Sequence, residues 1–489
     1  MAKSVTVYVC GQCGAQTRQF FGRCSGCGSW NTLVEQLQTA APAVDARRRR
    51  PLSPEPAASA RPRRSASMAA VGERPLQRLG SGYGEFDRVL GGGLVPGSLV
   101  LLGGDPGIGK STLLLQSARA MARRASVLYV SAEESAQQVK LRWLRLAQPL
   151  APREAEPDPA TAVPAGNGEG DVQVLAETDL ELVLQELESL RPAVAIIDSI
   201  QALHDDQLSS APGSVAQVRE CAAALARIAR RQDTALLLVG HVNKEGLLAG
   251  PKVLEHLVDA VLTFEGDRFA SHRLLRAVKN RFGATHELGV FEMRGRGLAE
   301  VLNPSELFLG GSEPSSGTAT IVACEGTRPL VVELQALVST TSYASPRRSA
   351  TGIPVNRLHQ ILAVLEKHLG LPFSRFDCYL AVAGGLEVEE PAADLGVAAA
   401  AVASFRDLTL PPGTVLIGEL GLGGQLRPVS QLELRLQEAG RLGFNRAVVP
   451  RGSGLGTVAA AAAVELLEAA TVAEALVAAL GVNPAADPG

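Results

Sequence analysis

Aromatic side chains are scarce in this chain: Phe, Tyr and Trp make up 4% of 489 residues, and only two are Trp. Neither sign of charge dominates, because 47 Lys and Arg against 50 Asp and Glu leave a formal net charge of −3. The whole-chain field therefore does not gather nucleic acid, and any such contact must come from local basic clusters. Long apolar runs are missing too. The longest, Thr457 to Leu480, is broken by Glu465, Glu468 and Glu474, so no window reads as a membrane span. Met1 to Val9 lacks the apolar run and the small-residue cleavage site of a secretory signal, and the expected location is cytoplasmic. After residue 27 only Cys221, Cys324 and Cys378 remain, each alone, which excludes a disulfide framework.

At about 150 residues per domain, the length suggests about three modules. A cysteine-rich segment, 1–37, is followed by a basic stretch, 38–78, rich in Ala, Pro, Ser and Arg, which cannot bury a core and reads as a flexible linker. Over 79–302, short apolar runs alternate with helical segments: Leu99 to Leu102, Val127 to Val130, Val194 to Ile197, Leu236 to Val239 and Ala260 to Phe264. Buried strands with helical crossovers imply an α/β fold with a doubly wound sheet. Within it, about 151–171 has no apolar period and reads as a disordered insertion. A Gly/Ser/Pro-rich linker, 303–317, leads to a second α/β module, 318–489.

Gly104-Asp105-Pro106-Gly107-Ile108-Gly109-Lys110-Ser111-Thr112 follows an apolar strand and opens a helix. The spacing is that of a P-loop: glycines let backbone N–H groups turn around phosphate oxygens, Lys110 reaches the β- and γ-phosphates of ATP or ADP, and the Ser111 hydroxyl holds Mg²⁺. Asp198, at the end of strand Val194 to Ile197, is placed to touch the Mg²⁺ shell. Glu133 and Glu134 end another strand at the edge where ligands bind in such sheets. One of them should orient or deprotonate the attacking water, and Glu133 is nominated over Glu134.

Two Cys-x-x-Cys knuckles, Cys10/Cys13 and Cys24/Cys27, stand ten residues apart. Four thiolates at that spacing suit one tetrahedral structural Zn²⁺ with no open coordination position. A redox dithiol would want a βαβ context that this segment lacks.

Together, the four-cysteine ribbon, the run Gly103 to Thr112, Gly250-Pro251-Lys252-Val253-Leu254-Glu255-His256 and the pentapeptide Lys279-Asn280-Arg281-Phe282-Gly283 resemble the bacterial RadA (Sms) family of DNA-repair ATPases over nearly the whole chain. The resemblance implies a RecA-like ATPase core followed by a Lon-protease-like α/β domain. It further implies a homo-hexamer that translocates on single-stranded DNA as a helicase, promotes branch migration of recombination intermediates and works with the RecA recombinase. On it, Lys279 and Arg281 act near the nucleotide of the neighbouring subunit. A guanidinium supplied in trans suits charge on a transferring phosphoryl group. Lys244, Lys252 and Arg281 are candidate DNA contacts.

Lon-type proteolysis needs a Ser nucleophile and a Lys base. By the same resemblance Ala392 stands where that Ser would be and Glu433 where that Lys would be, so the last module is expected to be proteolytically inactive. Its expected role is structural, carrying Arg347, Arg348, Arg427 and Arg435 toward DNA. An ATP-dependent protease using Ser404 or Ser430, or a nucleotide-gated regulatory scaffold, are the alternatives.

Overall fold

The computed structural model describes residues 4–10, 16–17, 19–25, 30, 33–39, 77–147, 171–240, 252–266, 272–309, 315–343, 345–452, 459 and 462–481. The basic linker beyond Thr39, nearly all of the expected insertion, Cys13, Cys27, Lys244 and Arg268 lie outside them, as does the side chain of Lys252. The chain divides into two compact units, residues 1–283 with 293–299, and residues 284–292 with 300–489.

The N-terminal segment is a three-stranded antiparallel ribbon. β1 (Ser4–Cys10) is central, flanked by β2 (Gln16–Thr17) and β3 (Leu33–Thr39).

In the remainder of the first unit, α1 (Gly84–Leu90) precedes β4 (Leu99–Gly104) and α2 (Lys110–Met121). There follow β5 (Val127–Ser131), α3 (Ala136–Ala147), β6 (Val172–Ala176), α4 (Leu180–Leu190), β7 (Val194–Asp198), α5 (Val215–Gln232) and β8 (Ala235–Val239). Next are α6 (Lys252–Leu257), β9 (Ala260–Glu265) and β10 (His272–Asn280). These strands lie in the order β10-β9-β4-β8-β7-β5-β6, parallel except for β10. All five expected strands are present. β4, β5, β7 and β8 are buried along their whole length, the pattern of a sheet covered on both faces. Leu99, Leu128, Ala195, Leu236 and Val261 share one core cluster with α4 and α5.

The basic run near Arg273 and Arg276 is strand β10, alternating in burial, not a solvated face. Arg273 is buried with Nε donating to the Ile108 carbonyl at 3.3 Å, and Arg276 stands 3.6 Å from Glu265. The polar side chains of this strand have partners inside the unit.

Chain continues through β11 (Leu288–Arg294) and β12 (Gly297–Glu300), where the division between the units falls. In the second unit, α7 (Ser305–Phe308) opens within the expected linker. Ser305 and Phe308 are buried, and Ser305 Oγ donates to Glu438 and accepts from the Val331 N–H. Residues 303–309 thus belong to this unit's core rather than to a spacer, because the Ser and Pro that read as linker composition also start a short helix.

The second unit's sheet is built from β13 (Thr318–Glu325), β14 (Arg328–Thr340), β15 (Arg348–Thr351), β16 (Phe376–Val382), β17 (Thr414–Leu416), β20 (Arg446–Pro450) and β21 (Glu465–Ala469). Their order is β15-β16-β14-β13-β17-β20-β21. Its helices are α8 (Val355–Leu369), α9 (Asp394–Arg406), α10 (Leu432–Arg441) and α11 (Val472–Leu480), and a small hairpin pairs β18 (Glu419–Leu420) with β19 (Leu426–Arg427). The Ala-rich α9 is buried over most of its length, and a Cβ at its Gly396 would stand 2.1 Å from Ile321, so small residues let this helix lie close on β13. Among the described residues no helix is long and apolar enough to cross a membrane.

Candidate nucleotide-hydrolysis site

The phosphate loop leaves β4 and enters α2, a helix long enough to present its positive end to an anion. Two of its glycines are sterically required. Gly104 and Gly109 have φ of 147° and 120°, and a Cβ there would lie 2.5 Å from the Phe264 carbonyl oxygen and 2.8 Å from Met293 Cε. Lys110 is buried, and its ammonium donates to the carbonyls of Gly104 at 2.7 Å and Asp105 at 2.9 Å. Burial lowers its pKa, opposed by the negative charges of Asp198, Asp105 and Glu133. Those four groups therefore converge on one site at the carboxyl edge of the sheet.

Asp198 ends β7, and Ser131 ends β5 directly beside it. Tyr129, buried on β5, donates its phenol O–H to Asp198 Oδ2 at 2.6 Å. Burial first, and the Asp198 charge second, raise the Tyr129 pKa well above its ordinary value. Ser199 Oγ donates to Glu133 Oε1. Glu134 is directed elsewhere: its carboxylate meets Arg142 of α3 at 2.5 Å, while its carbonyl accepts from Ser131 Oγ at 2.7 Å. The sequence left Glu133 and Glu134 as alternatives, and the two carboxylates have different partners, Ser199 and Arg142. Tyr129 and Ser199 were not singled out from sequence, since a Tyr in an apolar strand carries no motif signal.

No ligand accompanies the chain, so the fit rests on the donors. Ser111 and Asp198 offer hard oxygens, the kind Mg²⁺ accepts, and the glycine cradle is one that side chains would fill. In the ribbon, Cys10 and Cys24 are both buried in one small cluster with Leu33. Soft thiolates brought together in that way fit a metal of the zinc type. Three cysteines elsewhere are ordinary thiols, Cys221 and Cys378 buried and Cys324 half-buried: burial pushes Cys221 up to about 12 and Cys324 and Cys378 up to about 11.

The pentapeptide Lys279 to Gly283 lies at the opposite, amino edge of the sheet. Lys279 Nζ donates to the carbonyls of Glu255 and Val258 at the end of α6, and Asn280 Nδ2 donates to Val89 O of α1 at 3.1 Å. Arg281 pairs with Asp259 at 3.0 Å, and the other Asp259 oxygen accepts from the N–H of Leu99, the first residue of β4. A Cβ at Gly283 would stand 2.8 Å from Gly91 Cα, so only glycine fits that crossing. β4 separates Leu99 from the loop at Gly104, a rise of roughly 17 Å.

In the second unit no Ser–Lys pair forms among the described residues. Ala392 is buried, Glu433 is exposed, Ser404 Oγ accepts from the Val338 N–H at 2.9 Å, and Ser430 is exposed. Arg435, expected to face DNA, is fully buried: its guanidinium grips both Glu390 oxygens at 2.7 and 2.6 Å and also donates to Ser430 O. It lies on the inner face of α10, two positions from the exposed Glu433. The other three have partners as well. Arg347 covers the Tyr343 ring at 3.6 Å, Arg348 donates to Phe373 O at 3.4 Å, and Arg427 stands 3.5 Å from Glu419.

A phosphate loop on a parallel doubly wound sheet, with a strand-end Asp and a nearby Glu, defines a RecA-like P-loop ATPase. The sequence agrees: residues 85–247 match the AAA domain family and residues 8–35 the rubredoxin metal binding domain family. The DNA repair protein RadA of Synechocystis sp. is 56% identical over 99% of this chain and 96% of its own length, and that of Bacillus subtilis is 47% identical over 98% and 100%. A KaiC-like protein from Pyrococcus horikoshii OT3 matches 46% of this chain and 100% of its own at 20% identity, with a TM-score of 0.37. The chain belongs to the RadA family.

Proposed function

We propose that the protein is a DNA-dependent ATPase that translocates on single-stranded DNA in recombinational repair, promoting branch migration of recombination intermediates as a cytoplasmic homo-hexamer in concert with RecA. The name of its relatives, DNA repair protein, supports the pathway. One observation carries the assembly: Lys279 and Arg281 lie at the sheet edge opposite their own phosphate loop, so any nucleotide they serve belongs to another copy.

Within the site, Lys110 leaves the Gly104 and Asp105 carbonyls for the β- and γ-phosphates. Ser111 and Asp198 would hold Mg²⁺, which would supply charge to offset that on the transferring phosphoryl group. Glu133 orients and takes the proton of the attacking water, kept in place by the Ser199 hydroxyl. Cys10, Cys13, Cys24 and Cys27 hold Zn²⁺. Lys244, Lys252 and Arg281 grip DNA phosphates. The test is ATP turnover with and without single-stranded DNA at low salt, alongside mass in solution. Stimulation by DNA in a hexamer is expected; a monomer unresponsive to DNA would overturn the reading.

A further inference from the structure

The strand-end carboxylate of a P-loop site must present one oxygen to the water shell of the cation, yet the terminal torsion of an Asp side chain is broad and does not choose its own orientation. In this chain a neighbour chooses it. β5 and β7 are paired in parallel with Tyr129 opposite Ile196 and Ser131 opposite Asp198. Leu128, Val130, Ala195 and Ile197 face the core cluster shared with α4 and α5, so alternation turns Tyr129 to the other face, together with Ile196 and Asp198. The Tyr129 ring is 1% exposed and would be replaced in volume by Phe. What Phe lacks is the O–H that donates to Asp198 Oδ2 at 2.6 Å.

We propose that Tyr129 is the positioning residue of the cation site: by holding Oδ2 of Asp198 it fixes Oδ1 toward the water shell of Mg²⁺ bound with ATP. This rests on the reading of Asp198 as the carboxylate of that site. On this reading the hydroxyl reaches the cation through Asp198. It is matched by the Ser199 hydroxyl on Glu133, so Asp198 and Glu133 each accept from a hydroxyl. A Tyr that merely filled the core would need an acceptor too, since a buried phenol seldom goes unpaired. Its loss, however, would not single out the metal.

The experiment uses the full chain and a fluorescent ATP analogue, titrated in Mg²⁺ and in EDTA, for wild type, Tyr129→Phe, Asp198→Asn and the double variant, with melting temperature recorded for each. In Tyr129→Phe the Mg²⁺ needed for half-maximal tight binding, and for half-maximal turnover, should rise about fivefold to tenfold, while affinity in EDTA is unchanged. In the Asp198→Asn background the Tyr129→Phe change should add nothing, because the hydroxyl has lost the carboxylate it works through. The double variant also removes the buried unpaired carboxylate, so it remains informative if Tyr129→Phe alone folds poorly. Equal losses in Mg²⁺ and EDTA, additive losses in the double variant, or a lowered melting temperature with no change in Mg²⁺ requirement would overturn the proposal. If Asp198→Asn itself keeps the full Mg²⁺ enhancement, the reading of Asp198 fails, and the role of Tyr129 with it.

Discussion

The two α/β units handle cations in opposite ways. In the first, Lys110 donates to two backbone carbonyls, neutral partners, while three carboxylates oppose the lowering of its pKa by burial. In the second, Arg435 clamps both oxygens of Glu390, and Arg357 forks onto Asp394, whose Oδ2 also accepts from the Leu420 N–H at 2.9 Å. A cation lent by carbonyls is available to a ligand. One locked bidentately to a carboxylate is spent on the fold, since a ligand would have to displace an ion pair held by two charge-assisted hydrogen bonds. The first unit thus holds a cation on neutral acceptors, and the second commits two guanidinium groups to carboxylates within its own fold.

The sharpest way to break this contrast is at the carboxylates of the first unit. Glu133→Gln should lower ATP turnover by about 100- to 10,000-fold with nucleotide binding retained, the usual range for a positioned base. Glu134→Gln should change turnover only a few-fold, because its carboxylate is committed to Arg142. Phosphate-release assays on the two variants decide it, and the opposite ranking would exchange the roles.

Next comes the locked pair. Arg435→Met removes a fully buried guanidinium from the half-buried Glu390, which keeps only the Cys324 N–H among the described residues, and should cost about 2–3 kcal/mol of the second unit's stability, read as an earlier denaturant midpoint. Adding Glu390→Leu should recover much of that loss, because the pair then disappears as a whole. If Arg435→Met instead weakened DNA binding with stability untouched, the guanidinium would be serving a ligand after all.

Where sequence sufficed, the signal was local: a loop with fixed glycine spacing, apolar runs of strand length, paired cysteines. The strands of the first sheet and the loop at Gly104 to Ser111 were legible for that reason. What was missed depends on through-space pairing. The bonds Tyr129 to Asp198 and Ser199 to Glu133 each join residues more than sixty positions apart, and no periodicity records them. Arg435 misled because a charged residue reads as exposed by default, and its burial is permitted by Glu390, 45 positions away, together with the Val322 and Ser430 carbonyls. The segment 303–309 misled in the other direction, its linker-like composition concealing a helix whose Ser305 is anchored to Glu438 and Val331.

The smallest expected effect concerns the serines of the second unit. Ser404 Oγ is engaged by the Val338 N–H, so Ser404→Ala removes one partly buried hydrogen bond and should cost about 1 kcal/mol of stability. Ser430 is exposed, and Ser430→Ala should be neutral within ±0.5 kcal/mol or so. Neither change should alter hydrolysis of a fluorogenic peptide, which should stay at the buffer background in the parent chain, because a serine hydroxyl without an adjacent base is a weak nucleophile. The strongest nearby cation, Arg435, cannot supply that base: a guanidinium stays protonated, and this one is already bound to Glu390. Peptide hydrolysis above background that disappears with either serine would mean that the second unit retains chemistry, and the division of labour between the units would fall.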